Sequence, residues 1–243
     1  MAAASARLAE ADTYIVVPNA NATTEGAGTN AIPFSDFGTS LRYQQVYAAS
    51  QFGALSGPAW ITAILLRPDA VYGHSFSATL TDIQIDLSTT SKAPDGLSPA
   101  FANNVGADDT VVFGRGALAL SSQFTGPVGG PKDFDIVINL TTPFLYNPAA
   151  GNLLLDVRNY NSTISTTQMD AVDLVAGDPV SRVISHYGDG VNDATAYYVD
   201  SVGLVTDFRF APAGVVPEPS AWLLLGTSLA LSLGALKRKL AGR

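Results

Sequence analysis

From Thr13 to Phe210 apolar residues recur at every second position rather than every third or fourth. Phe134, Ile136, Ile138 and Leu140 alternate with Asp135, Val137 and Asn139. Ile83, Ile85 and Leu87 alternate with Gln84 and Asp86, Leu153, Leu155 and Val157 precede Arg158, and Leu204, Thr206, Phe208 and Phe210 share one face. A period of two is the side-chain repeat of a strand with one buried face, and it excludes a helical domain. Ala93-Pro-Asp-Gly96, Gly126-Pro-Val-Gly-Gly-Pro131, Asn147-Pro-Ala-Ala-Gly151 and Gly188-Asp-Gly190 read as turns between the runs. The pattern predicts an all-β fold: one antiparallel β-sandwich, jelly-roll-like, of roughly ten or more strands over residues 12–210. Asn19–Asn30, rich in Asn, Thr, Ala and Gly, reads as a surface loop.

With 47% hydrophobic residues the chain has ample material for a core. Its formal charge is −8, and the imbalance sits in the middle. Of 21 acidic residues only Glu10 and Glu218 lie outside residues 12–214, whereas Arg7, Lys237, Arg238, Lys239 and Arg243 take five of the 13 basic ones out of that span. An acidic domain repels phosphate backbones, so nucleic acid is not among the expected partners. The chain has no cysteine, which excludes disulfides, Cys-based zinc sites and thiol catalysis.

The C-terminal end carries a different signal. Val215-Val-Pro-Glu-Pro-Ser220 leads into Ala221–Leu236, a run without a charge, and then Lys237-Arg238-Lys239. As a helix that run rises roughly 24 Å, and Ser220 with snorkelling Lys237 extends it toward a bilayer core of about 30 Å. Pro217 and Pro219 stop the helix from growing upstream and Ser220 is suited to cap it. Trp222 stands where an interfacial aromatic belongs. Leu223, Leu224, Leu225, Leu229, Leu231, Leu233 and Leu236 supply the apolar anchor, and the basic cluster the cytoplasmic stop.

Pro217-Glu218-Pro219, a short apolar helix and a basic terminus, in that order, closely resemble the PEP-CTERM sorting signal of exopolysaccharide-producing Gram-negative bacteria. The resemblance spans Val215–Arg243. It implies exosortase and the export machinery as partners, transient anchoring in the inner membrane through the helix, and cleavage near the Pro-Glu-Pro triplet before release to the surface or matrix. On this reading residues 211–219 are a linker and 220–243 the transmembrane helix and basic tail. At the other end, residues 1–11 resemble the tail of a signal peptide, with Ala9-Glu10-Ala11 fitting a small-x-small cleavage site; a disordered Ala-rich start is the alternative. Arg42-Tyr-Gln-Gln-Val-Tyr47, Leu87-Ser-Thr-Thr90, Phe101–Asp109, Gly151–Arg158 and Ser201–Thr206 also resemble PEP-CTERM ectodomains that carry no assigned activity.

Within the domain, chemistry-bearing patterns are sparse. Gly73-His-Ser-Phe-Ser77 imitates a nucleophile elbow, but its last position is Ser and a strand pattern follows where an elbow needs a helix. His74 and His186 are the two histidines, too far apart in sequence for a paired metal motif. Two oxygen-rich loops are the calcium candidates, through Asp108 and Asp109 in one and Asp189, Asn192 and Asp193 in the other. Asx residues fill turns for conformational reasons too, and that is the simpler account. Asp133 and Asp135 read as two carboxylates on the polar face of one strand, solvated rather than catalytic. Tyr43, Tyr47, Trp60, Tyr72, Tyr146, Tyr160, Tyr187, Tyr197 and Tyr198 are available either to the core or to stack on sugars.

The expected protein is therefore not an enzyme. It is an exported component of the cell surface or biofilm matrix with a structural or interaction role, exopolysaccharide being the partner within reach. A lectin-like carbohydrate-binding module, calcium-dependent through the loops above, is the second reading. A glycan hydrolase is the third.

Overall fold

The computed structural model describes residues 11–35, 40–160, 166–185 and 190–213. Among them are thirteen strands: β1 (Thr13–Val17), β2 (Gly28–Asn30), β3 (Leu41–Tyr47), β4 (Ala59–Leu66), β5 (Phe76–Thr90), β6 (Thr110–Ser122), β7 (Ile136–Tyr146), β8 (Asn152–Asn159), β9 (Met169–Val172), β10 (Val180–Ile184), β11 (Tyr198–Asp200), β12 (Gly203–Leu204) and β13 (Thr206–Pro212). The helical segments among the described residues are short 3-10 turns. Every strand pairing is antiparallel. The strands form sheets in the orders β1-β13-β4-β7, β11-β10-β3-β8-β5-β6 and β12-β9-β2.

The alternation decides which side chains meet. In β8, Leu153, Leu155 and Val157 enter the main core, while Leu154 turns to the opposite face and joins a second cluster. Tyr47 of the six-stranded sheet stands edge-on to Phe208 of the four-stranded sheet, 4.9 Å between centroids. The two sheets thus face each other across one core. Phe52, in the 3-10 turn Ala49–Phe52, closes one end of it against Tyr146, Phe208 and Phe210. Rings of this size each contribute about 1.5–3 kcal/mol on burial. The second cluster lies on the outer face of the six-stranded sheet, where Leu97 and Phe101 from the β5–β6 connection cover Val46, Leu154 and Val183.

Both ends of the described chain lie at one pole. Thr13 pairs with Phe210, and Ala59 with both Pro212 and Tyr146. At that same pole the Ala49 amide donates to Asn152 Oδ1 (2.7 Å). The far pole holds the opposite strand ends, where Leu66 pairs with Thr206 and Ile136.

Three expectations change. Residues 131–135 lie outside the strands: β7 begins at Ile136, the Asp133 amide donates to Thr125 O, and Asp135 accepts from the Gln123 amide. Asp133 and Asp135 are therefore loop residues, not neighbours on a strand. Residues 211 and 212, expected as linker, continue β13, because Trp60 and Ala59 still offer partners there. The span 19–30 is not merely a surface loop: it ends in β2, and Glu25 reaches a buried charge cluster at the far pole.

Candidate functional site

β4 is a run of apolar residues that ends on Arg67, and Pro68 cannot continue the ladder. Arg67 is turned inward and is 1% exposed. Its Nε donates to Asp170 Oδ2 (2.7 Å), and its Nη2 donates to the carbonyls of Asn21 (2.9 Å) and Thr24 (2.8 Å). Phe134 closes over it, with the guanidinium carbon 4.7 Å from the ring centroid. One side chain thereby ties the 19–26 segment, the end of β4 and β9 together.

Asp170 belongs to a group of three carboxylates. Oxygens of Glu25, Asp69 and Asp170 lie within 4.8 Å of one another. Asp170 Oδ1 accepts the Gly26 amide (2.8 Å), Glu25 Oε1 accepts the Ala70 amide (2.7 Å), and Asp69 Oδ1 accepts the amides of Val71 and Tyr72. Burial pushes the Asp170 carboxyl up to about 6; the Arg67 charge and hydrogen bond oppose that shift, and Glu25 adds to it. Glu25 Oε2 is buried with no hydrogen-bond partner. The donor set is hard oxygen of the kind calcium takes. Yet Arg67 already gathers the two carbonyls and Asp170, so the guanidinium serves as the cation of this cluster. Its chemistry is that of a clamp.

A second polar array lies on the outer face of the six-stranded sheet. Asp86 stands opposite Asp156 in register, and Arg158 opposite Gln84 and Arg42. Arg42 pairs with Asp156, and Arg158 with Asp86. Gln44 donates to Asp156 Oδ2 (2.8 Å), and Gln84 to Asp86. Alternation predicts these side chains on the polar face, but not that Asp86 and Asp156 are buried there, at 1% and 2% exposure. Burial raises the pKa of Asp86, against the hydrogen bond from Gln84 and the charge of Arg158.

The calcium candidates lie on two separate loops. Asp108 Oδ1 accepts the Thr89 amide (2.7 Å), fastening the connection to β5. Asp109 is exposed at its neighbour's side, its pKa raised by partial burial and by the charges of Asp86 and Asp156. Asn192 closes the 3-10 turn Gly190–Asn192, and the Asp193 amide donates back to Gly190 O (3.2 Å). Asp189 lies outside the described residues, as do His186, Tyr187 and the whole tail with Pro217–Pro219, the anchor leucines and Lys237–Lys239. Among the described residues the group of three carboxylates is Glu25, Asp69 and Asp170, and neither candidate loop joins it.

Gly73-His-Ser-Phe-Ser77 is a turn entering β5: the Gly73 amide donates to Asp69 O (2.9 Å), and no helix follows. Tyr43, Tyr47 and Tyr146 are core, whereas Tyr72, Tyr197 and Tyr198 are exposed. Tyr197 and Tyr198 stand edge to face, 4.8 Å apart. Reading the sequence missed the Arg67 cluster. Its available signals were an arginine closing a long apolar run and Asp170 set among Met169, Ala171 and Val172.

The fold and clusters define an all-β domain of antiparallel sheets with an internal arginine–carboxylate clamp. The chain matches no known family model, no curated protein and no solved structure. Among the described residues no helix is long and apolar enough to cross a membrane.

Proposed function

We propose that this chain is an exported surface protein of the PEP-CTERM kind, sorted by an exosortase. Its ectodomain is a jelly-roll-like sandwich with a structural or interaction role in the exopolysaccharide layer. One observation carries the reading: Pro217-Glu-Pro219, the uncharged Ala221–Leu236 run and Lys237-Arg-Lys239 follow one another in the order a cleavable anchor requires. The domain is compatible with that role. Among the described residues its arginines hold carboxylates in ion pairs with Asp86, Asp156, Asp170 and Asp200, arrangements that fasten a scaffold. Deleting residues 215–243 tests the reading by cell fractionation. The full chain is expected in the envelope and then in the matrix, the truncated chain in neither. An unchanged distribution overturns it.

The exposed Tyr197–Tyr198 pair, four residues beyond Asp193, favours a carbohydrate-binding module as the second reading. Paired rings offer sugars a stacking platform, and Asp189, Asn192 and Asp193 are the nearby oxygen donors in sequence. A glycan array run with and without calcium, on the chain and on its Tyr197→Ser/Tyr198→Ser variant, separates the two readings. Signal lost in the variant supports binding; no signal in either supports the structural role.

A further inference from the structure

We infer that the outer face of the four-stranded sheet binds a neutral oligosaccharide, which stacks on Trp60 and Tyr14 and takes hydrogen bonds from Arg209 between them. The site is independent of the sorting tail and of the Tyr197–Tyr198 pair.

Alternation selects the residues. Ile15 of β1, Phe208 and Phe210 of β13, Ala59 and Ile61 of β4, and Phe144 and Tyr146 of β7 all enter the core. Their neighbours Tyr14, Arg209, Trp60 and Leu145 therefore stand on the outer face. Register sets their places: Tyr14 lies opposite Arg209, and Trp60 lies between Ala211 and Leu145. Two strand spacings and two residues of rise separate Tyr14 from Trp60, about 12 Å. A short oligosaccharide covers that distance and a single sugar ring does not.

Tyr14 is 54% exposed, and Leu145 is exposed beside Trp60. Trp60 is half-buried, and its Nε1 is buried without a partner. The polar edge of the indole is thus turned to the protein, and the surface left to solvent is apolar ring, suited to the C–H face of a sugar. Arg209 supplies the polar part. Its Nε donates to Thr62 Oγ1 (3.0 Å) and its Nη2 to Asn139 Oδ1 (3.2 Å), so β4 and β7 hold the guanidinium across the sheet. A guanidinium has five N–H donors. Asp12 Oδ2, at 3.9 Å, is beyond hydrogen-bond reach and the Arg209 side chain is 29% exposed, so donors remain for sugar hydroxyls.

Charge and area choose the occupant. On this face Asp12 and Arg209 offset each other and Asp207 is buried, in a domain whose acidic residues outnumber its basic ones by more than two to one. A neutral ligand suits such a surface, whereas a polyanion would meet the field of the whole domain. A second copy of the chain would need about 800 Å² per partner for a stable interface. Four strands at their usual spacing, over the eight residues of β4, give roughly 500 Å². The face is too small for a protein partner of that kind.

Intrinsic fluorescence tests the site, because Trp60 and Trp222 are the two tryptophans and Trp222→Phe leaves Trp60 as the reporter. The full chain with that substitution, in a detergent without a sugar headgroup, is titrated with cellohexaose, maltohexaose, laminarihexaose and chitohexaose. Glucose and N-acetylglucosamine are the single-ring comparison. At least one hexamer is expected to shift the Trp60 emission to saturation, and the single rings are not. Tyr14→Thr keeps strand propensity and is expected to melt with the parent while weakening the hexamer about tenfold, the order of one aromatic contact. No shift with any hexamer up to about 10 mM, where even a millimolar site saturates, overturns the inference. So does a single ring that binds as well as its hexamer, or binding indifferent to Tyr14→Thr. Binding kept in Tyr14→Thr but lost in Tyr197→Ser/Tyr198→Ser overturns this site and moves the sugar to the other pair of rings.

Discussion

Arg67 and Asp170, 103 residues apart in sequence, form an ion pair in which both side chains are sealed from solvent, with Nε donating to Oδ2 at 2.7 Å. The pair joins the end of β4 to the start of β9 and, through the Asn21 and Thr24 carbonyls, to the first long loop. A buried pair is weak evidence of net stabilisation, but removing one partner strands the other.

Arg67→Met should therefore destabilise the domain by about 3–5 kcal/mol, because it leaves Asp170 buried and unpaired. Arg67→Met combined with Asp170→Leu should recover a large part of that loss. Urea unfolding of the two variants checks the difference. A double variant no better than the single one would show that the clamp works through the Asn21 and Thr24 carbonyls instead.

Asp207 gives a pH dependence with a defined sign. Burial pushes its carboxyl up to about 6, against the Ile15 backbone hydrogen bond, and its Oδ1 is buried without a partner. In the unfolded chain the group titrates near 3.9. Between these values the folded state binds the proton more tightly, so stability falls as pH rises from about 4 to about 6. Wild type should lose roughly 1.4 kcal/mol per pH unit relative to Asp207→Asn across that window. Urea midpoints at three pH values measure the slope, and parallel curves refute the assignment.

Gly106 lies where the 103–109 loop crosses β5. A Cβ there would fall 1.8 Å from Thr89 O, a backbone atom that cannot step aside. Gly106→Ala should cost at least about 2 kcal/mol. Gly114, with open space around its Cβ position, should accept alanine with a change of about 0.5 kcal/mol or less. Thermal melting of both variants makes the comparison.

Phe52 closes the core at the terminal pole, and its ring meets Tyr146, Phe208 and Phe210 at 5.0–5.9 Å. Phe52→Ala should cost about 3–5 kcal/mol, since the turn that carries it is tied to β8 by Asn152 and cannot collapse into the space. Denaturant unfolding reads the loss. A cost below 1 kcal/mol would mean that Leu55 refills the site.

Much of the secondary structure was legible in the sequence. Phe208, Phe210, Ile83 and Leu155 point inward because alternation is a property of the strand itself and needs no knowledge of its partners. The turn sequences work the same way: Ala93-Pro-Asp-Gly96 closes on a Gly96 amide to Ala93 carbonyl bond. Asp133 and Asp135 misled because a short loop can imitate alternation when its neighbours are strands.

The sequence by itself determined an acidic all-β chain, the inward face of the longer alternating strands and the order of the Pro-Glu-Pro, apolar and basic segments at the C-terminal end, since each is written in neighbouring residues. Only the tertiary structure decided which distant strands pair. That pairing set Arg67 against Asp170, Asp86 beside Asp156, and residues 54–59 beside 211–213. Charge contacts across a hundred residues leave no local trace. The physical reason is that burial and ion pairing depend on register, which the whole core fixes at once.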